Sequence, residues 1–299
     1  MHITARSISQ PVWERLWKGP FAARVLAVFK HACNLVTPEG RVVALVLPQI
    51  GDGPLNIVVH GRPGDFAAVE PGMSARLEGR RLRVGGLEIV LEGAAVWEPR
   101  PDWDRLRAGR GGITARLTFL WAFALRNAPA GSFLPLAWEW AGGPDYSVEA
   151  VEAGCVSRAL APVAREAAEA LRAGWGGDPG QLREGAAQLA GLGSGLTPAG
   201  DDFLTGAMLW AWLAHSNPRV FCRTLVAAAG PRTTTLSAAF LQVTARGECS
   251  AAWHTLLAAL SHGSDIEVAR GVQSVLTHGA TSGADVLAGF LWAGTHSAA

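Results

Sequence analysis

Across LEIVLEGAAVWEPRPD, residues 87–102, the chain changes texture. Upstream, from residue 24, short apolar runs follow one another: RVLAVF, RVVALVL, LNIVV, RLRV and LEIVLEGAAVW. They are punctuated by TPEG, PQIGDGP, GRPGD, EPG, EGR and GG. Such runs predict strands, because β-branched side chains suit a pleated surface while Gly and Pro supply the turn conformations. A series of short strands closes into a small barrel or stacks as a sandwich. Downstream of EPRPD, alanine and leucine recur at helical spacing. The reading is α+β: a β-rich N-terminal domain over 1–100, a small β-barrel or sandwich, then a larger all-helical domain over 101–299 with about eight to ten helices.

Composition bounds the function. The 299 residues carry 26 Lys and Arg against 25 Asp and Glu, with 49% apolar and 17% charged side chains. That describes a soluble globular protein and gives no basic surplus for nucleic acid. Arg76, Arg80, Arg81 and Arg83 alternate with Leu77, Leu82 and Val84, as the wet face of strands would. Cys33, Cys155, Cys222 and Cys249 stand far apart without a C-x-x-C pair. They read as buried thiols in a reducing compartment, not as a zinc site or a disulfide scaffold. The opening MHITARSISQPVWERLWKGP has no apolar h-region, so it is not a secretory signal. Its Arg and Ser suit a transit peptide, against which Glu14 and Pro11 count. The longest apolar stretches, LTFLWAFAL (117–125) and FLTGAMLWAWLA (203–214), are well short of the roughly 20 residues a bilayer needs. A cytoplasmic protein without membrane contact is expected.

Helix signals are legible in the second half. Asn217 and Pro218 predict an N-cap and a first-turn proline, with Gly230 ending that helix. Ser264 with Glu267 predicts a capping box, and Gly279 a stop. A helical pattern over 149–173 carries Pro162, predicting a kink or break there. AGDDFLTG (199–206) and SGADVLAG (282–289) share the pattern small-G-x-D-x-L-x-G, pairing Gly200 with Gly283, Asp202 with Asp285 and Gly206 with Gly289. Gly206 and Gly289 fall inside helices, where each costs about 1 kcal/mol relative to alanine, so close helix contact is the expected reason for them.

The glycine-rich GLGSGLTPAGDDFLTG (191–206) is the stretch that structure-building explains least. Gly195 and Gly200 have Walker A spacing, yet Asp201 and Asp202 stand where Lys and Ser/Thr are needed, so it is not a P-loop. Pro198 occupies the third glycine position of G-x-G-x-x-G counted from Gly193, which excludes a dinucleotide fingerprint. What remains is a glycine turn whose N–H groups can face one side, with Thr197 as expected N-cap and Pro198 as first helical residue. Gly193, Ser194, Gly195, Thr197 and Gly200 are therefore candidate anion contacts at a helix start. Asp201 and Asp202 oppose an anion there. Either they occupy the positive helix end themselves, or one holds Mg²⁺, an arginine or a substrate amide. Both are candidate catalytic residues. Asp202, having Asp285 as counterpart, suits a helix-start role; Asp201, facing Ala284, suits chemistry.

GPRTTTLSAAFL (230–241) is a second constellation. Arg232, Thr233 and Thr234 at a helix start form an oxyanion cradle, or else a simple threonine cap. The eight histidines form neither H-x-x-x-H nor H-E-x-x-H, and no G-x-S-x-G elbow exists, so no zinc site or serine hydrolase is expected.

GLGSGLTPAGDDFLTG, TTTLSAAFL and TSGADVLAG, with ACNL (32–35) and GDGPLNIVV (51–59), resemble a bacterial family once labelled a domain of unknown function and a carboxylase. That family is now associated with the AllH subunit of oxamate carbamoyltransferase. The resemblance covers nearly the whole chain and implies a β-rich N-terminal part, a helical C-terminal part and a place in purine breakdown. It further implies interconversion of oxamate and carbamoyl phosphate with oxalurate and phosphate, together with other subunits. Ala199 stands where the family's TPSGDD has serine, so no hydroxyl role transfers to it. RTTT is similar over four residues to the phosphate-binding S-T-R-T of ordinary transcarbamoylases. Two readings stand: a transferase subunit binding a small anionic metabolite, or a non-catalytic metabolite-binding or assembly subunit. Twelve tryptophans against one tyrosine are compatible with a homo-oligomer interface.

Overall fold

The computed structural model describes residues 2–143 and 160–297. Two compact units emerge: Met1–Pro101 with Glu248–Ala251, and Asp102–Gly247 with Ala252–Ala299. The short return of Glu248–Ala251 to the first unit is held by Cys249 N donating to Pro99 O and Ala251 N to Asp52 O, both 2.9 Å.

The first unit is a barrel of β1 (His2–Ser9), β2 (Ala22–Val28), β3 (Ala32–Val36), β4 (Val42–Val46), β5 (Asn56–Val59), β6 (Ser74–Glu78), β7 (Arg81–Val84) and β8 (Leu87–Val90). The order β5-β4-β3-β2-β6-β7-β8-β1 closes because β1 also pairs with β5, leaving β9 (Ala95–Trp97) parallel to the second half of β1. Closure removes unpaired edges. Ile8, Leu35, Leu45, Ile57, Leu82 and Ile89 are fully buried inside, joined by Val12 and Leu16 of α1 (Gln10–Trp17). Of the two expected architectures, the barrel is the one formed.

Several details correct the sequence reading. LEIVLEGAAVW is not one strand but two, β8 and β9, split by a turn in which Gly93 has φ +78°. The N-terminal stretch weighed as a transit peptide forms β1 and α1. Arg76, Arg81 and Arg83 of the arginine run do lie on strands, whereas Arg80 sits in the turn between β6 and β7; Leu82 and Val84 are buried, while Arg81 pairs with Glu88 at 2.6 Å and Arg83 with Glu78 at 2.8 Å. Cys33, Cys222 and Cys249 are buried, and burial pushes the Cys33 thiol up to about 12; Cys155 lies outside the described residues.

The second unit holds twelve α-helices among the described residues, more than the eight to ten expected, because 103–126 divides into three short ones. These are α2 (Trp103–Ala108), α3 (Arg110–Ala115) and α4 (Leu117–Arg126), followed by α5 (Leu134–Trp140). Next come α6 (Ala161–Trp175), α7 (Pro179–Leu189), α8 (Ala199–Ala214), α9 (Pro218–Ala229) and a 3₁₀ turn, Gly230–Arg232. The chain continues through α10 (Thr235–Ala245), α11 (Ala251–His262), α12 (Asp265–Leu276) and α13 (Ser282–His296). Pro162 sits in the first turn of α6, so it starts that helix instead of kinking it; a proline there has no helical hydrogen bond to lose. Residues 149–159 of the expected helix lie outside the described ones. Asn217 caps α9, accepting from Val220 N at 3.3 Å, and Ser264 with Glu267 forms the expected capping box on α12. That helix ends at Leu276, with Gly279 in the turn beyond.

α8 and α13 form the centre of this unit, and nearly every residue of both is buried. Thr197 meets Ser282, Gly206 meets Phe290 and Trp210 meets Ser297, in the same order along both helices, so the two run parallel with their N-termini together. A Cβ on Gly206 would stand 1.8 Å from Val286 O, and one on Gly289 1.9 Å from Phe203 O. Since 203 and 286 are themselves equivalent in the repeat, the contact is reciprocal: the internal repeat is a local pseudo-two-fold. Trp210, Trp212 and Trp292 lie in this core. Among the described residues no helix is long and apolar enough to cross a membrane.

Candidate functional site

The site grows from what the repeat does at its helix starts. Gly200 presses on the carbonyl of Leu189 at the end of α7, and Gly283 on that of Val275 in α12, where a Cβ would stand 2.1 and 1.9 Å away. Each helix therefore begins tightly against the one before it. Between α7 and α8 the chain turns through Gly191, whose Cβ would meet Arg232 O at 2.9 Å, and Gly195, which has open space around it but φ +92°. Gly195 is thus required by backbone conformation alone.

Residues 193–196 are exposed, and among the described residues the N–H groups of 193–197 donate no hydrogen bond. The helix start differs from expectation by one residue: Pro198 is the N-cap, and α8 begins at Ala199. Proline has no side-chain acceptor for capping, so the first amides turn to nearby carbonyls. Gly200 N donates to Leu192 O at 2.9 Å, and Asp201 N and Asp202 N to Pro198 O at 3.0 and 3.2 Å. Thr197 caps nothing; its hydroxyl lies 2.9 Å from that of Ser282.

Three carboxyl groups lie beneath the turn. Asp201 is 1% exposed; Oδ1 accepts from Gly191 N at 3.1 Å and Oδ2 from the Thr233 hydroxyl. Burial raises its pKa, against the lowering effect of those two bonds and of the nearby Ser237 hydroxyl. Asp202, 7% exposed, is raised well above the ordinary value, chiefly by burial and further by Asp285 and Asp201, while the Ser282 hydroxyl opposes the shift. Asp285 is fully buried and pushed up to about 7 by desolvation; its Oδ1 accepts from Phe133 N, just ahead of α5, at 2.6 Å. Asp202 Oδ2 and Asp285 Oδ2 are buried with no hydrogen-bond partner, as is Ser132 Oγ beside Phe133.

Three sequence segments converge here. Thr233 reaches Asp201, the Thr234 hydroxyl donates to Leu196 O at 2.5 Å, and Thr197 meets Ser282. Thr234 is also the N-cap of α10, accepting from Ser237 N at 3.0 Å, so the simple-cap reading holds for it. With both threonine protons already used, the cradle expected of Thr233 and Thr234 has no hydroxyl proton left to give. Arg232 is exposed and, among the described residues, forms no ion pair with Asp201 or Asp202; it lines a separate groove with Arg183 and Ala227. Among the described residues, the exposed residues 193–196 keep backbone N–H groups that donate no hydrogen bond, and Ser194 adds a hydroxyl.

Asp201, expected to be the chemical residue, has the bonds of an anchor; Asp202, expected to be structural, keeps a free oxygen. Sequence reasoning did not name Asp285 or Ser282 as site residues, although the repeat had already paired Asp285 with Asp202. Mg²⁺ does not fit this donor set. Mg²⁺ keeps several waters in an octahedral shell and is held by one or two ionised carboxylates, whereas both oxygens of Asp201 are occupied and the other two carboxyls are pushed toward the neutral form. Among the described residues no group of three His, Cys, Asp or Glu side chains could hold a metal ion.

Two family models match this chain. The one described as "Oxamate carbamoyltransferase subunit AllH" matches residues 189–294, which contain all three converging segments, and the one described as "AllH family N-terminal domain" matches residues 4–96, the barrel. No solved structure matches.

Proposed function

This chain belongs to the AllH family, and from that premise we propose that it is one subunit of a carbamoyltransferase acting on oxamate and carbamoyl phosphate, with its glycine-rich turn forming part of a small-anion site that a second subunit completes. The observation that carries the proposal is the exposed turn 193–196, with undonated amides, held in place by the Thr197–Ser282 and Thr234–Leu196 contacts. Carbamoyl transfer passes through a tetrahedral oxyanion, which needs preorganised N–H donors. The turn offers such donors at the joint N-terminal end of two parallel helices, where the macrodipoles favour negative charge.

Carbamoyl phosphate brings negative charge of its own, and three buried carboxyls, Asp201, Asp202 and Asp285, already lie at this turn. A cation from another subunit would balance it. Burial keeps Asp202 toward its neutral form, in which it can donate a proton in a hydrogen bond to a carbonyl oxygen, as an ionised carboxylate cannot. On this reading Asp202 takes the chemical role and Asp201 holds the turn. Purine breakdown in the cytoplasm is the setting the family association suggests.

The second reading, a non-catalytic metabolite-binding or assembly subunit, is favoured by the commitment of both threonine hydroxyls to protein groups. Turnover measurements separate the two. Oxalurate-dependent formation of carbamoyl phosphate is expected only when this chain is combined with the other subunits, and G195A, which strains the turn, should cut it at least tenfold without dissociating the complex. Turnover by this chain alone would overturn the shared site; full turnover by an intact G195A complex would leave the non-catalytic reading.

A further inference from the structure

The helical unit carries a groove outside the carboxyl site. α7, α9 and the 3₁₀ turn Gly230–Arg232 enclose a volume of about 400 Å³, within the range of small-ligand pockets. Its lining includes three alanines, Ala187, Ala227 and Ala228, whose side chains are short. Two arginines from different elements, Arg183 and Arg232, line it.

Neither arginine is neutralised. Among the described residues, Arg183 Nη1 donates only to its own helix, to Pro179 O at 3.3 Å, and Arg232 forms no ion pair. The one acid in the lining, Glu184, uses Oε1 to accept from Gln188 Nε2 at 2.8 Å. Two arginines that form no ion pair among the described residues suit an oxyanion with several oxygens, because guanidinium binds carboxylate and phosphate through paired N–H donors.

We infer that this groove is a second small-oxyanion site, binding a carboxylate or phosphate group between Arg183 and Arg232. The site also has a mechanical link to the first one. The carbonyl of Arg232 rests against Gly191, and the next residue, Thr233, donates to Asp201. An anion that orders the 3₁₀ turn therefore steadies both groups that hold the Asp201 carboxyl. This inference stands apart from the carbamoyltransferase reading, since it uses neither the exposed turn 193–196 nor a second subunit.

Calorimetric titration of the full chain at low ionic strength, with inorganic phosphate in one arm and oxalate in the other, tests it. Saturable binding of at least one probe is expected, and the arm that binds names the group. R183A and R232A should each weaken it tenfold or more, and E184Q should tighten it. All three positions are exposed, so circular dichroism of the variants should match the parent. Failure of both probes to bind, or equal binding by R183A, R232A and the parent, overturns the inference. So does loss confined to G195A, which would assign the anion to the glycine-rich turn. If the arginine variants instead weaken association with other subunits while neither probe binds, the groove is a protein interface and the inference falls.

Discussion

Among the described residues no cation lies beside the buried carboxyls Asp202 and Asp285, and burial of that kind favours the neutral form. The consequence for stability has a definite sign. Asp285 holds its proton up to about pH 7 in the folded chain, against an ordinary value of 3.8. Between those pH values the unfolded chain has released a proton that the folded one keeps, so stability is full at the acid end and is lost as pH rises toward 7, by at most roughly 4 kcal/mol from this residue. Asp202 adds in the same direction. Urea unfolding of the parent should thus show stability falling between pH 4.5 and 7.5, and D285N should flatten that slope; parallel slopes would mean that Asp285 does not titrate in this range. Thr233 gives a second check. T233A leaves Asp201 Oδ2 without its donor and should cost about 1–3 kcal/mol, with T233S recovering most of it. These residues were half legible in the sequence. The two aspartates stood out because nothing about helix building demands them adjacent in an apolar first turn. Which oxygen stays free depends on contacts with 132–133, 233 and 282, and no local pattern encodes those.

At the level of elements, the α8/α13 crossing rests on Gly206 and Gly289, whose absent side chains let each helix touch the other's backbone. Alanine at either position gains about 1 kcal/mol of helix propensity but drives a methyl group into a carbonyl. G206A and G289A should each destabilise by at least about 2 kcal/mol net, measured by thermal or urea unfolding, and by similar amounts because the contacts are reciprocal. A neutral G206A would remove the case for tight packing. The repeat was readable from its glycine spacing, as were Asn217, the Ser264 capping box and most strands. Not readable were β1, β3 and β6: β3, for example, has Asn34 buried at 5% exposure in mid-strand, and a polar residue there hides the apolar run. The one-residue error at α8 has a similar origin. Thr197 looks like a cap until Ser282, 85 positions away, engages its hydroxyl.

For the molecule as a whole, the barrel core comes entirely from residues within 3–91. We expect 1–100 to behave as a domain, so a fragment ending at Pro101 should unfold cooperatively in urea with a strand-rich circular dichroism spectrum, even without the two backbone bonds from Glu248–Ala251. A gradual, non-cooperative loss would show that the barrel needs that return segment. Parallel pairing of α8 with α13 has a further consequence for biosynthesis. Parallel neighbours cannot be joined by a tight turn, and here Pro218–Ala229, Thr235–Ala245, Ala251–His262 and Asp265–Leu276 all lie between them. A ribosome releasing the chain from its N-terminus therefore exposes Ala199–Ala214, apolar on almost every side, well before Ser282–His296 arrives to cover it. During that interval the nascent helix is a natural client for a chaperone, and the pocket of acids at its head does not yet exist.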